Sequence, residues 1–308
     1  MSRMGDGLRI SLPVMEDQTH PLVSVVIPAH NRADLLPRAI RSAANQTHTH
    51  IEIIVVDDGS ADETPALIHA LSEQLPNLIY IRNEQSRGVK RARNQGIEAA
   101  RGEYVTFCDD DDELEAHNVE TQLEFLQKNP ELSFVIPDYK EHRTTGTRIS
   151  RRGGEVTLEK LLWVNICYVG LLTSKKNLLA VGGFDEKQLA VEDYDLCLRL
   201  IDKFGPAYRI PEPLYIYHLR HRKPTLFFDK RNWRIYQGYY RLYSKFKDKM
   251  SPEQRKYQLY RTLWARGGKI TPAHFLKLVP KKYWAPELNT FLIERTNFYK
   301  YFGWLRGF

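Results

Sequence analysis

Residues 104–112 read YVTFCDDDD. A short apolar run of strand character stops at four consecutive aspartates. Like charges packed side by side raise one another's pKa and cost free energy unless something positive sits among them. Two stretches upstream share the pattern. LVSVVIP (22–28) runs into AHNR (29–32), and IEIIVVDDGS (51–60) ends a β-branched run in acids and a turn. Between them lie helical patterns. LLPRAIRSAANQ (35–46) puts Leu36, Ile40 and Ala43 on one face, and ETPALIHALSEQL (63–75) spaces Leu67, Leu71 and Leu75 four apart. LIYIRN (78–83) reads as a strand and GVKRARNQGIEAA (88–100) as a helix. Apolar strands alternating with helices predict an α/β fold, its mainly parallel sheet covered on both faces. Ligands then bind beyond the carboxyl ends of the strands, where AHNR, DDGS and CDDDD stand.

The second half is less regular. SFVIPDY (133–139) and GLLTS (170–174) read as strands, RTTGTRISRRGGE (143–155) as a polar, mobile loop, and VTLEKLLWVN (156–165) as a helix. VGGFDE (181–186) is a turn. VEDYDLCLRLIDKFG (191–205) is a helix that opens on acids and stops at Gly205. AYRIPEPLYIYHLR (207–220) is extended. In RNWRIYQGYYRLYSKF (231–246), helical spacing places Trp233, Tyr236, Tyr240 and Tyr243 on one face.

An apolar fraction of 42% in 308 residues supports a sizeable core. No stretch reaches the ~18 apolar residues of a spanning helix. The N-terminus has no continuous apolar h-region, so it reads as a loose arm over residues 1–20 and not as a signal peptide. The three cysteines, Cys108, Cys167 and Cys197, fit no zinc spacing and read as buried, inert thiols in a reducing compartment. Charge is unevenly placed. Residues 219–308 hold 21 Lys+Arg against 5 Asp+Glu, a net of +16; with +7 overall, the first 218 carry −9. The same segment holds 21 of the chain's 35 aromatics. The asymmetry divides the chain into a domain over 21–225 and a basic, aromatic-rich helical extension over 226–308.

Carboxylates just past a strand end, one residue apart, can face one cleft. That suits Mg²⁺ or Mn²⁺, which take one or two carboxylates plus substrate phosphates. The alternative is an acidic cap on a helix starting near Glu113, for which one Asp suffices and four are too many. VVDDGS by itself is ordinary turn chemistry, with Ser60 as a helix cap. Its place on the same edge would let Asp58 accept hydrogen bonds from a nucleotide base. Glu192 and Asp193, at a helix start, gain from the macrodipole whatever else they do; an ionised carboxylate there can also act as a general base towards an alcohol.

Taken in order, VSVVIPAHNR, IIVVDDGS, RGVKRARNQGIEAARGEYVTFCDDDDEL, VGGFDE and VEDYDLCLRL resemble family 2 of the glycosyltransferases, with its Rossmann-like GT-A fold. The resemblance covers about residues 22–220, roughly two thirds of the chain. It implies an inverting transfer of a sugar from a nucleotide donor, usually UDP-linked, with a divalent metal on the diphosphate. By position, Pro28, His30, Asn31 and Asp58 would line the base pocket. His30 stands where the family often has an aromatic. Lys90, Arg93 and Asn94 would approach the nucleotide. Asp109 or Asp110 would contact the ribose and Asp111 would hold the metal, Mn²⁺ or Mg²⁺. Asp193 matches the catalytic base, and Gly182, Gly183 and Glu192 fall on the acceptor side. The chemistry is consistent: a sugar C1–O bond breaks through an oxocarbenium-like state, and one base on the opposite face inverts C1. His218, Arg220 and His221 are further candidates for metal or diphosphate contact, against a structural or surface role.

The extension reads in two ways. Lys, Arg, Trp and Tyr suit an amphipathic helix on a membrane surface, and so a peripheral enzyme at the cytoplasmic face acting on a lipid-linked saccharide. The alternative is a helical extension packed on the domain. Nucleic acid is not expected, since no binding motif is visible and the first two thirds are acidic. The reading that results is a metal-dependent glycosyltransferase of cell-surface polysaccharide or lipopolysaccharide biosynthesis. Its rivals are a nucleotidyltransferase of related α/β design, for which PAHNRADLLP lacks the Gly-rich, Lys-containing loop, and a non-catalytic sugar-nucleotide or membrane-binding module.

Overall fold

In the computed structural model, residues 20–219, 233–265 and 272–284 are described. Residues 1–19 of the arm, the candidates Arg220 and His221, and residues 226–232, 266–271 and 285–308 of the extension lie outside them. The first half alternates as its pattern dictates: β1 (Val23–Ala29), α1 (Leu36–Ala44), β2 (Ile51–Asp57), α2 (Thr64–Ser72), β3 (Leu78–Arg82), α3 (Val89–Ala99) and β4 (Tyr104–Phe107). β1 and β2 are buried at every position, as strands covered on both faces must be.

The second half contributes β5 (Glu113–Leu114), α4 (Asn118–Lys128), β6 (Val135–Arg143), β7 (Gly146–Ile149), β8 (Gly154–Val156), α5 (Leu158–Trp163), β9 (Leu172–Ser174), α6 (Lys175–Ala180), α7 (Glu192–Phe204) and β10 (Ala207–His218). Among the described residues all strands join one sheet, ordered β3-β2-β1-β4-β9-β6-β10-β5, with β7 on β6 and β8 on β10. β1 to β4 are parallel to one another. β9 is antiparallel to both β4 and β6, so β6 and its parallel partner β10 share the direction of β1. The sheet is mainly parallel, and its order reverses at β1, between β2 and β4.

Two local expectations are corrected. The residues after the acids do not start a helix. Glu113 and Leu114 pair antiparallel with Ile216 and Tyr215, and α4 begins only at Asn118. The acid run is therefore a loop pinned to β10, not a helix cap. Residues 143–155 are not a loose loop either. β7 returns antiparallel along β6, with Gly146 at φ 127 making the reversal. The buried Asp138 carboxylate holds the segment that follows, accepting from Ser150 Oγ, Arg152 N, Gly153 N and Arg209 Nε.

One glycine sets how closely α3 lies on the sheet. A Cβ on Gly96 would sit 2.3 Å from Val26 Cγ1. Gly96→Ala is expected to lower stability by about 1–3 kcal/mol through overpacking, despite alanine's better helix propensity. Urea denaturation would read this as a lower midpoint.

The three cysteines are free and buried, and burial pushes the Cys108 and Cys197 thiols well up, as inert structural thiols require. The extension contributes α8 (Trp233–Phe246), α9 (Pro252–Ala265) and α10 (Pro272–Leu278). In this part the extension packs on the domain. Ile235, Tyr239, Leu242 and Phe246 join the main core. Gln254 and Gln258 of α9 donate to the Glu159, Leu162 and Trp163 carbonyls of α5. The aromatic face expected on α8 divides: Tyr236 and Tyr243 pack against the main core, whereas Trp233 and Tyr240 are 60% and 51% exposed.

Candidate active site

The crevice opens where β1 and β4 part. Their pairing ends at Val26 and Phe107, and Cys108 N donates to the Val26 carbonyl. Backbone groups alternate in direction along a strand, so Pro28, two residues on, turns its missing N–H to the side β4 has left. No ladder bond is lost there, which is why a central strand tolerates proline. Pro28 is buried beside Val56. His30 follows at the rim. Its Nδ1 lies 2.8 Å from the Asp58 carbonyl, and its N–H donates to Asp110 Oδ2 at 3.4 Å. Asn31, at φ 52, donates its N–H to Ser60 Oγ and accepts from Ala61 N. The ends of β1, β2 and β4 thus meet through His30, Asn31, Asp58 and Asp110.

The Asp58 carboxylate is committed to the start of α3. It accepts from Asn83 Nδ2, Ser86 Oγ, Arg87 N and Gly88 N. Burial pushes its pKa up, but these bonds outweigh that and hold it below the ordinary carboxylate range.

The four acids diverge in role. Asp112 is fully buried; Tyr215 donates its hydroxyl to Oδ2 at 3.2 Å and His218 N donates to Oδ1 at 3.0 Å. The Tyr215 hydroxyl also accepts from Asp109 N. Arg38 donates to the Asp111 carbonyl at 2.5 Å. Asp109, Asp111 and Asp112 each bring a carboxylate oxygen within 4.8 Å of the others. Hard oxygen donors so grouped fit Mg²⁺ or Mn²⁺. Burial, then Asp109 and Asp111, push Asp110 up to about 7 against the opposing pull of Arg32 and His30 N. The sequence pointed to Asp111 alone; the contribution of Asp112 depends on β10, about a hundred residues away.

Arg93 joins this loop to α7. Its side chain is 6% exposed and donates to Asp109 Oδ1 at 2.7 Å and to Glu192 Oε1 at 3.3 Å, with the Phe184 ring 5.2 Å away. Glu192 and Asp193 open α7 directly after Val191, which sits in the left-handed region at φ 56. Burial, then Glu192, push Asp193 up to about 7; Tyr194 N and Arg93 pull the other way, and Asp109 adds to the rise. Removing Arg93 would leave Asp109 and Glu192 unneutralised. Arg93→Met is expected to cost about 3 kcal/mol, the low end for a broken buried pair because both acids keep some exposure. A thermal melt would show the loss.

Asn94 faces a different segment. Its Nδ2 donates to the Phe184 carbonyl and its Oδ1 accepts from Phe184 N, so the amide acts as a strand partner for the turn. Gly182 and Gly183 make that turn at φ 77 and 63, and a Cβ on Gly183 would fall 2.5 Å from Asn94 Oδ1. Lys90 is half-buried on α3. His218 sits beside the acid loop, but its Nε2 pairs with Glu113 Oε1 at 2.5 Å.

Residues 24–180 match the sequence profile described as Glycosyl transferase family 2. A protein of Escherichia coli K12 named for glycosyl transfer in colanic acid biosynthesis, WcaA, is 28% identical over 85% of this chain and 94% of its own. The GalNAc(5)-diNAcBac-PP-undecaprenol beta-1,3-glucosyltransferase of Campylobacter jejuni is 29% identical over 72% of this chain and 73% of its own. Among solved structures, S. aureus TarS 1–349 superposes with a TM-score of 0.63 at 18% identity, covering 87% of this chain and 78% of that one. TarS has also been solved with UDP-GlcNAc, and that structure superposes with a TM-score of 0.58 at 19% identity, over 86% of this chain and 87% of that one. The shared fold is GT-A, and the chain belongs to glycosyl transferase family 2, an inverting family.

Proposed function

We propose that this enzyme moves a sugar from a UDP-linked donor to a saccharide or lipid-linked saccharide, with a divalent cation, in the synthesis of a surface polysaccharide. One observation carries the reading: Arg93 ties Asp109 of the acid loop to Glu192, so one guanidinium links the donor-side acids to the residue next to the candidate base Asp193. The named roles of WcaA and of the undecaprenol-linked glucosyltransferase support the pathway and acceptor class, and the UDP and UDP-GlcNAc complexes of TarS support the donor.

Asp109, Asp111 and Asp112 would hold the cation, which when bound would supply Lewis-acid stabilisation of charge on a departing diphosphate. His30, Asn31 and Asp110, at the ends of β1 and β4, would meet base and ribose; Asp58 would shape this wall by fixing the start of α3, with Pro28 beneath it. Asn94, Gly182 and Gly183 shape the acceptor side. Asp193 takes the proton of the acceptor hydroxyl. The new bond forms from that oxygen to C1 as the C1–O bond to diphosphate breaks, UDP leaves, and C1 inverts. Among the described residues no helix is long and apolar enough to cross a membrane. The outward Trp233 and Tyr240 on α8, beside the basic residues of the extension, support contact with a membrane surface at its cytoplasmic face.

The test is UDP release from a panel of UDP-sugars, with Mn²⁺ and with chelator, followed by the anomeric configuration of the product by NMR. Metal-dependent release with inversion is expected. No release from any donor would contradict the reading.

A further inference from the structure

Helix α8 grips both flanks of the segment that delivers Asp193. A Cβ on Gly238 would fall 2.7 Å from the Ala190 carbonyl, so glycine is what lets the helix approach this closely. Gln188, fully buried, donates its Nε2 to the Ala190 and Gly238 carbonyls, each at 2.9 Å. Lys245 donates to Asp185 Oδ2 at 2.7 Å and also to Asp195 Oδ1. Arg241 donates to the same Asp185 oxygen at 3.0 Å. Asp195, fully buried, accepts in addition from Arg199 Nε at 2.8 Å, and Arg199 Nη1 donates to the carbonyls of Val181 and Gly183. One lysine of the extension therefore joins the acid of the turn to the acid two residues past the base.

Between those anchors stands Val191 at φ 56, a left-handed conformation that a β-branched residue adopts only under constraint. Such conformations persist where the surroundings over-determine them. Here they comprise Gln188, Gly238 and Lys245, and the residues that follow Val191 are Glu192 and Asp193.

We propose that Lys245 is a positioning residue for sugar transfer, holding the segment 185–195 so that Asp193 faces the crevice, and that α8 is part of the catalytic apparatus. This rests on Asp193 as the base. Lys245→Met removes the direct tie between Asp185 and Asp195, leaving Arg241 on the first and Arg199 on the second, and so loosens the first turn of α7 where Asp193 stands. A displacement of about 1 Å at a reacting group costs on the order of 100-fold in rate.

The experiment uses the full chain. It compares Lys245→Met, Lys245→Arg, Gly238→Ala and Asp193→Asn with the wild type. Turnover is read as UDP release from the UDP-sugar that the wild type uses fastest, and donor-site integrity by calorimetry with UDP and Mn²⁺. Lys245→Met is expected to lose roughly 10- to 100-fold in kcat with UDP affinity unchanged, and Lys245→Arg to recover most of it. Gly238→Ala should follow Lys245→Met, and decides the matter if that variant does not fold. Amide exchange over 185–195 should quicken in both, whatever the donor. Wild-type kcat in Lys245→Met and Gly238→Ala beside an inactive Asp193→Asn would overturn the proposal alone. So would a parallel fall in kcat and UDP affinity that arginine does not rescue. Full turnover in Asp193→Asn would overturn the base and this proposal together.

Discussion

Asp193→Asn is expected to slow sugar transfer by about 10²- to 10⁴-fold, the range that a positioned general base contributes, while UDP still binds. Asparagine keeps the size of the side chain and can accept a hydrogen bond, but it cannot take a proton. The environment of Asp193 adds a pH signature. Burial and the neighbouring Glu192 push its pKa up to about 7. A base works ionised, so kcat/KM of the free enzyme should fall about tenfold per pH unit below that value and level off above it. Glu192→Gln removes a like charge and should move the acid limb to lower pH. Stability runs the other way. Between the ordinary carboxyl value of 3.8 and about 7, the folded chain holds a proton on Asp193 that the unfolded chain has lost. The native state binds more protons in that window, so this group makes the fold less stable as pH rises through it. At pH 8, Asp193→Asn should therefore melt at or above the wild-type temperature. An inactive variant that melts lower would point to a structural role instead.

Asp111→Asn is expected to remove several kcal/mol of transition-state stabilisation, on the order of 10³ in kcat/KM, and chelation of the wild type should do the same. Asp111 is the acid assigned to the metal from the sequence, and so the first to replace. Asp112 is buried under Tyr215 and the His218 N–H, so its replacement also disturbs the seating of β10. Asp109 is held by Arg93, so its loss frees a buried cation. Excess Mn²⁺ should recover part of the lost rate in Asp111→Asn but none in Asp193→Asn. Turnover insensitive to both chelator and Asp111→Asn would remove the metal from the mechanism.

What the sequence disclosed depended on how local each cause was. β1 to β4 are continuous apolar runs, and the crevice at their carboxyl ends follows from parallel topology alone. The helix stop at Gly205 and the double-glycine turn are equally local, since both need positive φ. β5 could not be read, because two residues form a strand only through pairing with Tyr215 and Ile216. The hairpin over 143–155 looked like a loop for the same reason. Its anchor is the buried pair of Asp138 with Arg209, distant in the chain. On α8 the aromatic stripe was conspicuous, but the buried face is centred on Ile235, Tyr239, Leu242 and Phe246, with Tyr236 and Tyr243 at its edge and Gly238 where the helix crosses Ala190. In the site, the acids and Asp193 stood out by type and position. The bridge from Arg93 to Glu192 and the double contact of Lys245 join residues that only the folded chain brings together.

The central claim is that the acid loop and the crevice beside it form a metal-dependent site for a UDP-linked donor. Calorimetric titration of UDP, with and without Mn²⁺, on the wild type and on Asp111→Ala tests it most directly. Saturable binding that needs both the metal and Asp111 is the expected result. UDP binding that is indifferent to metal and to Asp111, or no UDP binding under any condition, would contradict it.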